Sequence, residues 1–351
     1  MVVGSVGLLA APAACSGNGG AGGVEFTEVR VEVDEYDSVN GVVAWEDGFV
    51  AVTSGGVVVR SADGERWAQV ETTGLAGKDD SAASTSFAGI AAGDGFLLIA
   101  GTRSVSNGED NAVFAPLVWR SDDGEQWEQL DRRGLAARSL DFVVARDDGF
   151  LLFGTEEIPT PADYVPTDEE EEDGELPATI DVTSTWSSDD GEQWEQVGDH
   201  VLPPGENSLE GVAAAAVIGD QWLASLGVEC SGCYDDYAFA LSKSEDGGAT
   251  WAELDESGLD DIRLANTDVI PRVVGFEDGF VAVGTSQDGD DTVATLWRSA
   301  DGEKWADKMQ LGGPREYEYA ADIDAMAATE TGVIVLELRG DELAVWRVDL
   351  S

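Results

Sequence analysis

Short apolar runs, each bounded by turn residues, recur along the whole chain. In one recurrent phrase an apolar run follows Asp-Gly or a similar pair, as in WEDGFVAV at 45–52 and FEDGFVAVGT at 276–285. Apolar runs of about four to eight residues separated by Asp-Gly pairs predict β-strands joined by hairpins. We find no helical periodicity. The phrase occurs six times, at 45–52, 92–102, 146–155, 218–227, 276–285 and 329–338.

A second phrase, S-x-D-G-x-x-W, alternates with the first, and we call it the box motif. Each copy follows a strand ending in Trp-Arg-Ser or a variant, and its Trp begins another short strand. One unit therefore contains four strands, and six such units without helices predict an all-β, six-bladed β-propeller of four-stranded blades. The motif occurs at 61–67, 121–127, 188–194 and 299–305, with a copy one residue longer at 244–251.

The two ends of the chain complement each other. The sixth unit stops at Trp346-Arg347-Val348 and lacks its fourth strand, whereas 26–29 (FTEV) precedes the first unit and resembles a fourth strand. We predict that this N-terminal strand completes the last blade and closes the ring, which removes open sheet edges there. The predicted domains are a leader and Gly-rich tether over 1–24 and the propeller over 25–351.

The box motif, and the SEDGGATW copy especially, resembles the Asp-box of sialidase-type and BNR-repeat propellers, and the resemblance covers 25–351. It implies a structural hairpin between the third and fourth strands, on the face away from an active site. The aspartates would accept turn amides and the tryptophans would pack between blades, without a catalytic role. These positions are Asp63, Trp67, Asp123, Trp127, Asp190, Trp194, Asp246, Trp251, Asp301 and Trp305.

The composition of the chain excludes several classes of function. Of 351 residues, 71 are Asp or Glu and 19 are Lys or Arg, which gives a net charge of −52. This charge excludes general nucleic-acid binding and leaves membrane association only through a lipid anchor. One His and three Cys are too few for a zinc site. We expect a monomer without a cofactor, with Ca²⁺ as the alternative that acidic loops would suit.

The N-terminal residues 1–24 resemble the end of a bacterial lipoprotein signal, in which Cys15 becomes the lipidated N-terminus after cleavage. A cleaved, secreted protein is the alternative. Cys230 and Cys233, in VECSGCYDDY, predict a local disulfide that an extracytoplasmic location permits. Free thiols, or a redox or metal-binding pair, are the alternatives. No apolar run reaches the roughly 20 residues that span a bilayer. We therefore expect a protein anchored at the bacterial cell surface.

The face opposite the boxes consists of the loops between second and third strands and the connections between blades, where such scaffolds carry function. An acidic, Pro-rich insertion at 156–182 belongs to this face. We interpret its 168–173 run (DEEEED) as solvated, with cation binding as the alternative. Arg272 and Arg315 are our candidates for contact with an anionic ligand.

Sialidases resemble one another in three arginines that grip a carboxylate, a Tyr–Glu nucleophile pair and an Asp acid/base. Their F/Y-R-I-P motif is absent here. The PREYEY segment offers Arg315, Glu316, Tyr317 and Glu318, a set in which a Tyr/Glu pair would suit proton transfer. We expect a non-catalytic propeller that binds a protein or a glycan through the face opposite the boxes. The alternative is a divergent exo-acting glycoside hydrolase of sialidase type, with Arg272 added to this set.

Overall fold

A computed structural model provides the structure of the chain. It describes residues 23–31, 37–75, 83–106, 112–162, 177–198, 200–201, 208–229, 237–254, 271–277, 279–288, 291–311 and 323–351. Within these ranges there are 24 strands and no helix. The strands form six antiparallel sheets of four strands each. The predicted six-bladed, all-β propeller is therefore confirmed.

The first three blades follow one another in chain order. Blade 1 comprises β2 (Val39–Trp45), β3 (Gly48–Thr53), β4 (Val58–Ser61) and β5 (Trp67–Val70). Blade 2 comprises β6 (Ala83–Ala92), β7 (Leu97–Ser106), β8 (Ala112–Ser121) and β9 (Glu128–Gln129). Blade 3 comprises β10 (Ser139–Arg146), β11 (Gly149–Pro159), β12 (Thr179–Ser188) and β13 (Glu195–Gln196).

The last three blades repeat this order, and the sixth takes its outermost strand from the start of the chain. Blade 4 comprises β14 (Ser208–Ile218), β15 (Gln221–Glu229), β16 (Tyr237–Ser244) and β17 (Ala252–Glu253). Blade 5 comprises β18 (Arg272–Phe276), β19 (Gly279–Asp288), β20 (Asp291–Ser299) and β21 (Ala306–Gln310). Blade 6 comprises β22 (Ala325–Ala328), β23 (Gly332–Arg339), β24 (Glu342–Asp349) and β1 (Val24–Arg30).

The ring closes in two ways. Each innermost strand contacts the innermost strands of both neighbouring blades, so β2, β6, β10, β14, β18 and β22 surround one axis. In addition, β1 pairs antiparallel with β24, with Phe26 opposite Trp346. The prediction that an N-terminal strand completes the last blade is therefore confirmed. Because both ends of the chain share one sheet, opening the ring would break a whole strand pairing.

The hydrophobic core lies between the blades. It consists of six clusters, and each cluster combines buried side chains from two adjacent blades. Four tryptophans at matching third-strand positions are at most 1% exposed, and burying a side chain of this size stabilises the fold by about 2 kcal/mol or more. These are Trp119, Trp186, Trp297 and Trp346.

The up-and-down strand order gives the propeller two distinct faces. The box hairpins and the turns between first and second strands lie on one face, which we call the box face. The loops between second and third strands and the connections between blades lie on the opposite face. No helix in the described part of the chain has the length and apolar character needed to cross a bilayer.

Candidate functional site

The box motifs form tight hairpins that share one hydrogen-bond pattern. In blade 1 the Ser61 Oγ accepts the Gly64 N–H at 2.8 Å, and the Asp63 Oδ1 accepts the N–H groups of Glu65 and Arg66 at 3.0 and 2.9 Å. Gly64 has a φ of 74°, which glycine adopts without strain. The carboxylate pattern recurs at Asp123, Asp190 and Asp301, and with one amide donor at Asp246.

These hydrogen bonds favour the charged form of the box carboxylates. The backbone N–H donors lower the pKa of all five aspartates below the usual value. The Nε1 groups of three box tryptophans donate to the carbonyl oxygen of the box glycine at 3.1–3.3 Å. These tryptophans are Trp67, Trp127 and Trp194; Trp305 is also buried, and Trp251 is half-buried. The box carboxylates are thus occupied by their own turns.

Basic residues on third strands connect adjacent blades at the box face. The Arg60 Nη1 donates to the Asp123 carbonyl oxygen at 3.0 Å, and the Lys243 Nζ lies 3.0 Å from the Glu303 Oε1. Lys243 is only 6% exposed, and although burial opposes its charge, Glu245 and Glu303 raise its pKa. Part of the scarce positive charge therefore joins blades to one another.

Four polar residues lie at or near the first residues of four innermost strands, at the opposite face, and we call them the axial ring. They are Asn40, Asp141, Arg272 and Asp324. Asn40 and Asp141 occupy β-bulges, where the pairing register of β2 and β10 shifts. Arg272 is the first residue of β18, and Asp324 directly precedes β22. A bulge changes the direction of a side chain relative to the regular alternation, and here it directs polar groups to the neighbouring blade.

Asn40 and Asp141 both contact the following blade. The Asn40 Nδ2 donates to the Phe87 carbonyl oxygen at 2.5 Å, and the Val212 N–H donates to the Asp141 Oδ2 at 3.4 Å. A Cβ atom at Gly211 would lie 2.7 Å from that oxygen, and Gly211 has a φ of 107°, so this approach requires glycine. Asp141 keeps a small exposed surface, yet burial raises its pKa to about 7.

Asp324 and Arg272 belong to adjacent blades and interact electrostatically. The Leu338 N–H donates to the Asp324 Oδ2 at 2.5 Å. Burial raises the pKa of Asp324 to about 7, although backbone N–H donors and the Arg272 charge lower it. The Arg272 Nε donates to the Ile323 carbonyl oxygen at 3.0 Å, and its Nη1 donates to that of Ala213. One guanidinium therefore joins blades 4, 5 and 6.

The axial ring differs chemically from the box face. A carboxyl group whose pKa is near 7 is protonated in a large share of molecules at neutral pH, so it donates hydrogen bonds as well as accepting them. An ionised box carboxylate only accepts them. Together with the Asn40 amide and the Arg272 guanidinium, the ring suits a hydroxyl-rich ligand. A raised carboxyl pKa also suits general acid catalysis.

The structure describes only part of the predicted site. Arg272 lies in the axial ring, and its guanidinium contacts two backbone carbonyl groups. The PREYEY residues Arg315, Glu316, Tyr317 and Glu318 lie outside the described residues. The same holds for Cys15, Cys230, Cys233 and the 168–173 run. The opposite face is therefore represented by its innermost strands and the described ends of its hairpins.

Asn40, Asp141 and Asp324 are not among the site residues predicted from the sequence. Each stands between two apolar or small residues at the start of a unit, in VNG, LDF and IDA. Regular alternation of side chains would place Asn40 and Asp141 on one side of a strand, whereas a bulge moves each of them out of that alternation. Asp324 lies just before its strand. The recurrence of a polar residue at one position of the unit is the signal that would have identified them.

Two clefts lie on the box face, away from the axial ring. The larger has a volume of about 600 Å³ at the seam between blades 6 and 1, and its lining includes Glu25, Glu46, Glu330 and Arg347. In the part of the chain that the structure describes, no three His, Cys, Asp or Glu side chains are grouped to hold a metal ion. The cleft shares the general acidity of the surface, so the axial ring is the stronger candidate site.

No protein-family profile and no curated protein matches the chain. Among solved structures, it is similar to a protein of unknown function from Dyadobacter fermentans, with 14% identity, a TM-score of 0.57 and coverage of 92% of this chain and 98% of that one. It is also similar to the α-L-arabinanase of Penicillium chrysogenum complexed with arabinobiose (16% identity, TM-score 0.51, coverage 89% and 93%).

A third similar structure is a mutant of an α-L-arabinofuranosidase from Fusarium graminearum, solved with an iminosugar inhibitor. Its identity is 12% and its TM-score 0.50, with coverage of 88% of this chain and 92% of that one. At such identities the likeness shows the fold alone. The chemistry of the site has to be argued from the residues of this chain.

Proposed function

We propose that this chain is an extracytoplasmic β-propeller that binds a glycan at the axial ring. The proposal rests on Asp141 and Asp324, two carboxyl groups at the innermost strands. Burial raises the pKa of each to about 7. A sugar hydroxyl both donates and accepts hydrogen bonds. Protonated carboxyl groups do the same, and Asn40 and Arg272 are the other polar side chains of the ring.

A glycan suits this ring better than a folded protein does. Stable protein interfaces bury roughly 800 Å² per partner and have an apolar centre, whereas the ring residues are polar and recessed against the next blade. Small-molecule sites instead use a few convergent polar groups. Two propellers of similar fold were solved with arabinobiose and with an iminosugar inhibitor, which supports a ligand of sugar size.

The proposal includes membership of the Asp-box propellers and a lipid anchor at Cys15. The Asp349 N–H donates to the Gly23 carbonyl oxygen at 2.9 Å, so Gly23 lies at the box-face end of blade 6. A tether from Cys15 would therefore reach the propeller on the box face. The axial ring would then face away from the membrane, where an extracellular polysaccharide has access to it.

Glycoside hydrolysis is a second candidate function, which the raised pKa values of Asp141 and Asp324 favour. Most glycosidases use two carboxyl groups, one of which is protonated and acts as the general acid. Asp141 belongs to blade 3 and Asp324 to blade 6, so the two begin innermost strands on opposite sides of the axis. A sugar in the ring would lie between them.

The test is a glycan and cell-wall polysaccharide array that includes linear arabinan, probed with the full chain carrying Cys15→Ser, with and without Ca²⁺. We expect Asp141→Ala to weaken binding about tenfold, because it removes a donor and an acceptor. Asp141→Asn retains both and should bind nearly normally. Asp147 is exposed in the same blade at the box face, and Asp147→Ala is the control that should leave binding unchanged.

The proposal would be overturned if the chain carrying Cys15→Ser bound no glycan on the array. It would also be overturned if adding Asp141→Ala left binding unchanged. Release of reducing ends from the bound polysaccharide separates the two candidate functions. Hydrolysis would be established if product forms and if Asp141→Asn and Asp324→Asn each abolish its formation. Binding without product would support the non-catalytic function, and a requirement for Ca²⁺ would add a cation to the site.

A further inference from the structure

The blades end at different heights on the opposite face. In blade 1, β3 and β4 have six and four residues, and the turn 54–57 joins them. In blade 2, β7 and β8 have ten residues each. At a rise of about 3.3 Å per residue, β7 extends roughly 15 Å beyond the level at which β3 ends. Blade 2 therefore forms a wall beside the low top of blade 1.

The top of blade 1 is polar and continuous with the axial ring. The Ser38 Oγ donates to the Asn40 Oδ1 at 2.8 Å, and the Ser38 N–H donates to the Ser54 Oγ at 3.2 Å. Ser54 begins the low turn, and Gly56 within it lies under the Phe87 ring of blade 2. Since Asn40 belongs to the ring as well, hydroxyl and amide groups lead outward from the axis over blade 1. The Asp37 carboxylate lies among them, beside Gly55, and is hydrogen-bonded to Thr53 and Ser54.

The wall is the face of the blade 2 sheet that continues upward from Phe87. Residues directly opposite each other on paired strands share a face, and side chains alternate along each strand. From Phe87 the same face passes through Thr85 and its partner Arg103, and then through Val105 and its partner Val113. Val105 is 38% exposed and Val113 is 60% exposed. The wall therefore presents Thr85 and Arg103 next to the polar turn, and apolar surface at Val105 and Val113 beyond them.

The opposite side of the same hairpin faces blade 3. Phe114 follows Val113 in the strand, and the Arg138 guanidinium of blade 3 lies 5.3 Å from its ring centroid. Arg138 in turn lies 3.0 Å from an Asp181 carboxylate oxygen. Phe114 thus has neighbours in blade 3, whereas Val113 projects toward the space over blade 1. We call that space, between the Ser38–Ser54 floor and the Val105–Val113 wall, the shelf.

We propose that the shelf is a subsite for the continuation of a glycan chain whose first unit lies in the axial ring. A sugar ring has apolar C–H faces and hydroxyl edges, which match a valine wall and a hydroxyl-bearing floor. The shelf is continuous with the ring through Asn40, so one linear chain can contact both. This inference rests on the proposed function and names its ligand class: a linear oligosaccharide of several units.

The experiment titrates arabinobiose and longer linear arabino-oligosaccharides, up to the octasaccharide, into the full chain carrying Cys15→Ser. Calorimetry should show affinity rising with length. Val113→Asp should weaken binding of the octasaccharide about tenfold and leave arabinobiose within about twofold, because only the longer chain reaches the wall. Phe114→Ser, one residue away on the other face, is the matched control and should leave both affinities within about twofold.

The two proposals fail in different ways. Absence of binding to every glycan of the array, or normal binding by Asp141→Ala, overturns the proposed function and the subsite with it. If another linear glycan binds on the array, its oligosaccharides replace those of arabinan in the titration. Affinity independent of length, or equal weakening of arabinobiose and octasaccharide by Val113→Asp, overturns the subsite alone. Light scattering distinguishes a contact between two copies. If Val113→Asp lowers the molar mass in solution, the wall is a protein interface and the subsite is overturned.

Discussion

Five aspartates on the box face and two in the axial ring have the same side chain, yet the pKa is shifted in opposite directions in the two groups. Each box carboxylate accepts N–H groups of its own turn, and the pKa of each is lowered. Asp141 and Asp324 also accept backbone N–H groups, yet burial raises the pKa of each to about 7. Hydrogen bonding decides the protonation state where solvent is close, and desolvation decides it where blades meet.

The two groups of carboxylates differ in what they contribute to the stability of the fold and in what they can offer to a ligand. Ionised box carboxylates stabilise hairpins and have no donor to offer a ligand. The axial carboxyl groups are destabilising when charged, because folding removes them from water. Carboxyl groups with perturbed pKa values cluster at functional sites, which is the reason to propose a ligand site at the ring. Variants on each face sharpen this contrast.

The largest effect should come from Gly211→Ala. Its Cβ would approach an Asp141 carboxylate oxygen to 2.7 Å, and the φ of 107° is unfavourable for alanine. We expect a loss of about 3 kcal/mol in the free energy of unfolding, measured by chemical denaturation. Gly95→Ala is the control, since Gly95 also has a positive φ, 78°, but its new Cβ would meet no atom within 4 Å. It should cost about 1 kcal/mol.

A second substitution tests the cause of the first effect. Asp141→Ala removes the carboxylate that the new methyl group meets, so the double variant should recover about half of the loss. The backbone strain would persist in that double variant. If Asp141→Ala restores nothing, the carboxylate is not pressed against blade 4, and the packing argument for the axial ring is wrong.

An intermediate effect should follow from Asp141→Asn, and it should depend on pH. Because the folded pKa is raised, the neutral carboxyl contributes stability below the usual Asp pKa, and this contribution is lost as pH rises through about 7. At about pH 8 the Asn variant should therefore be more stable by about 2 kcal/mol, roughly half of the full shift because Asp141 keeps some exposure. At about pH 4 the two should unfold alike.

The measurement is the melting temperature of both proteins across this pH range. The difference between them is informative, because the strong negative charge of the chain destabilises both at high pH. A difference that does not change with pH would show that Asp141 is already ionised in the folded protein. The donor role proposed for it would then be wrong.

The smallest effect belongs to the box face. Asp190→Ala removes the acceptor of the Glu192 and Gln193 N–H groups at 2.8 and 3.1 Å, and should cost about 1 kcal/mol at neutral pH. Its lowered pKa means that this contribution is present above the usual Asp pKa and is lost as pH falls through the folded value. Asp189→Ala, at the adjacent exposed position, should be nearly neutral by thermal denaturation. Equal losses would contradict the hydrogen-bond account.

Much of the fold is readable from the repeated units. The D-G turns and box motifs predict where hairpins form, because these residues have local conformational preferences that need no distant contact. The match between 26–29 and the fourth strands predicts ring closure, which the pairing of Phe26 with Trp346 confirms. Among the predicted candidates that the structure describes, Arg272 lies in the axial ring.

The site itself depends on neighbours that the sequence does not reveal. Asp141 and Asp324 are two of 71 acidic residues, and their recurrence at one position of the unit does not say whether that position is buried. Their raised pKa values come from burial against another blade. The sequence by itself determined the blades, their number and the hairpins, because repeat and turn chemistry act over a few residues. Only the tertiary structure decided which carboxyl groups lose water, because desolvation depends on what packs against them.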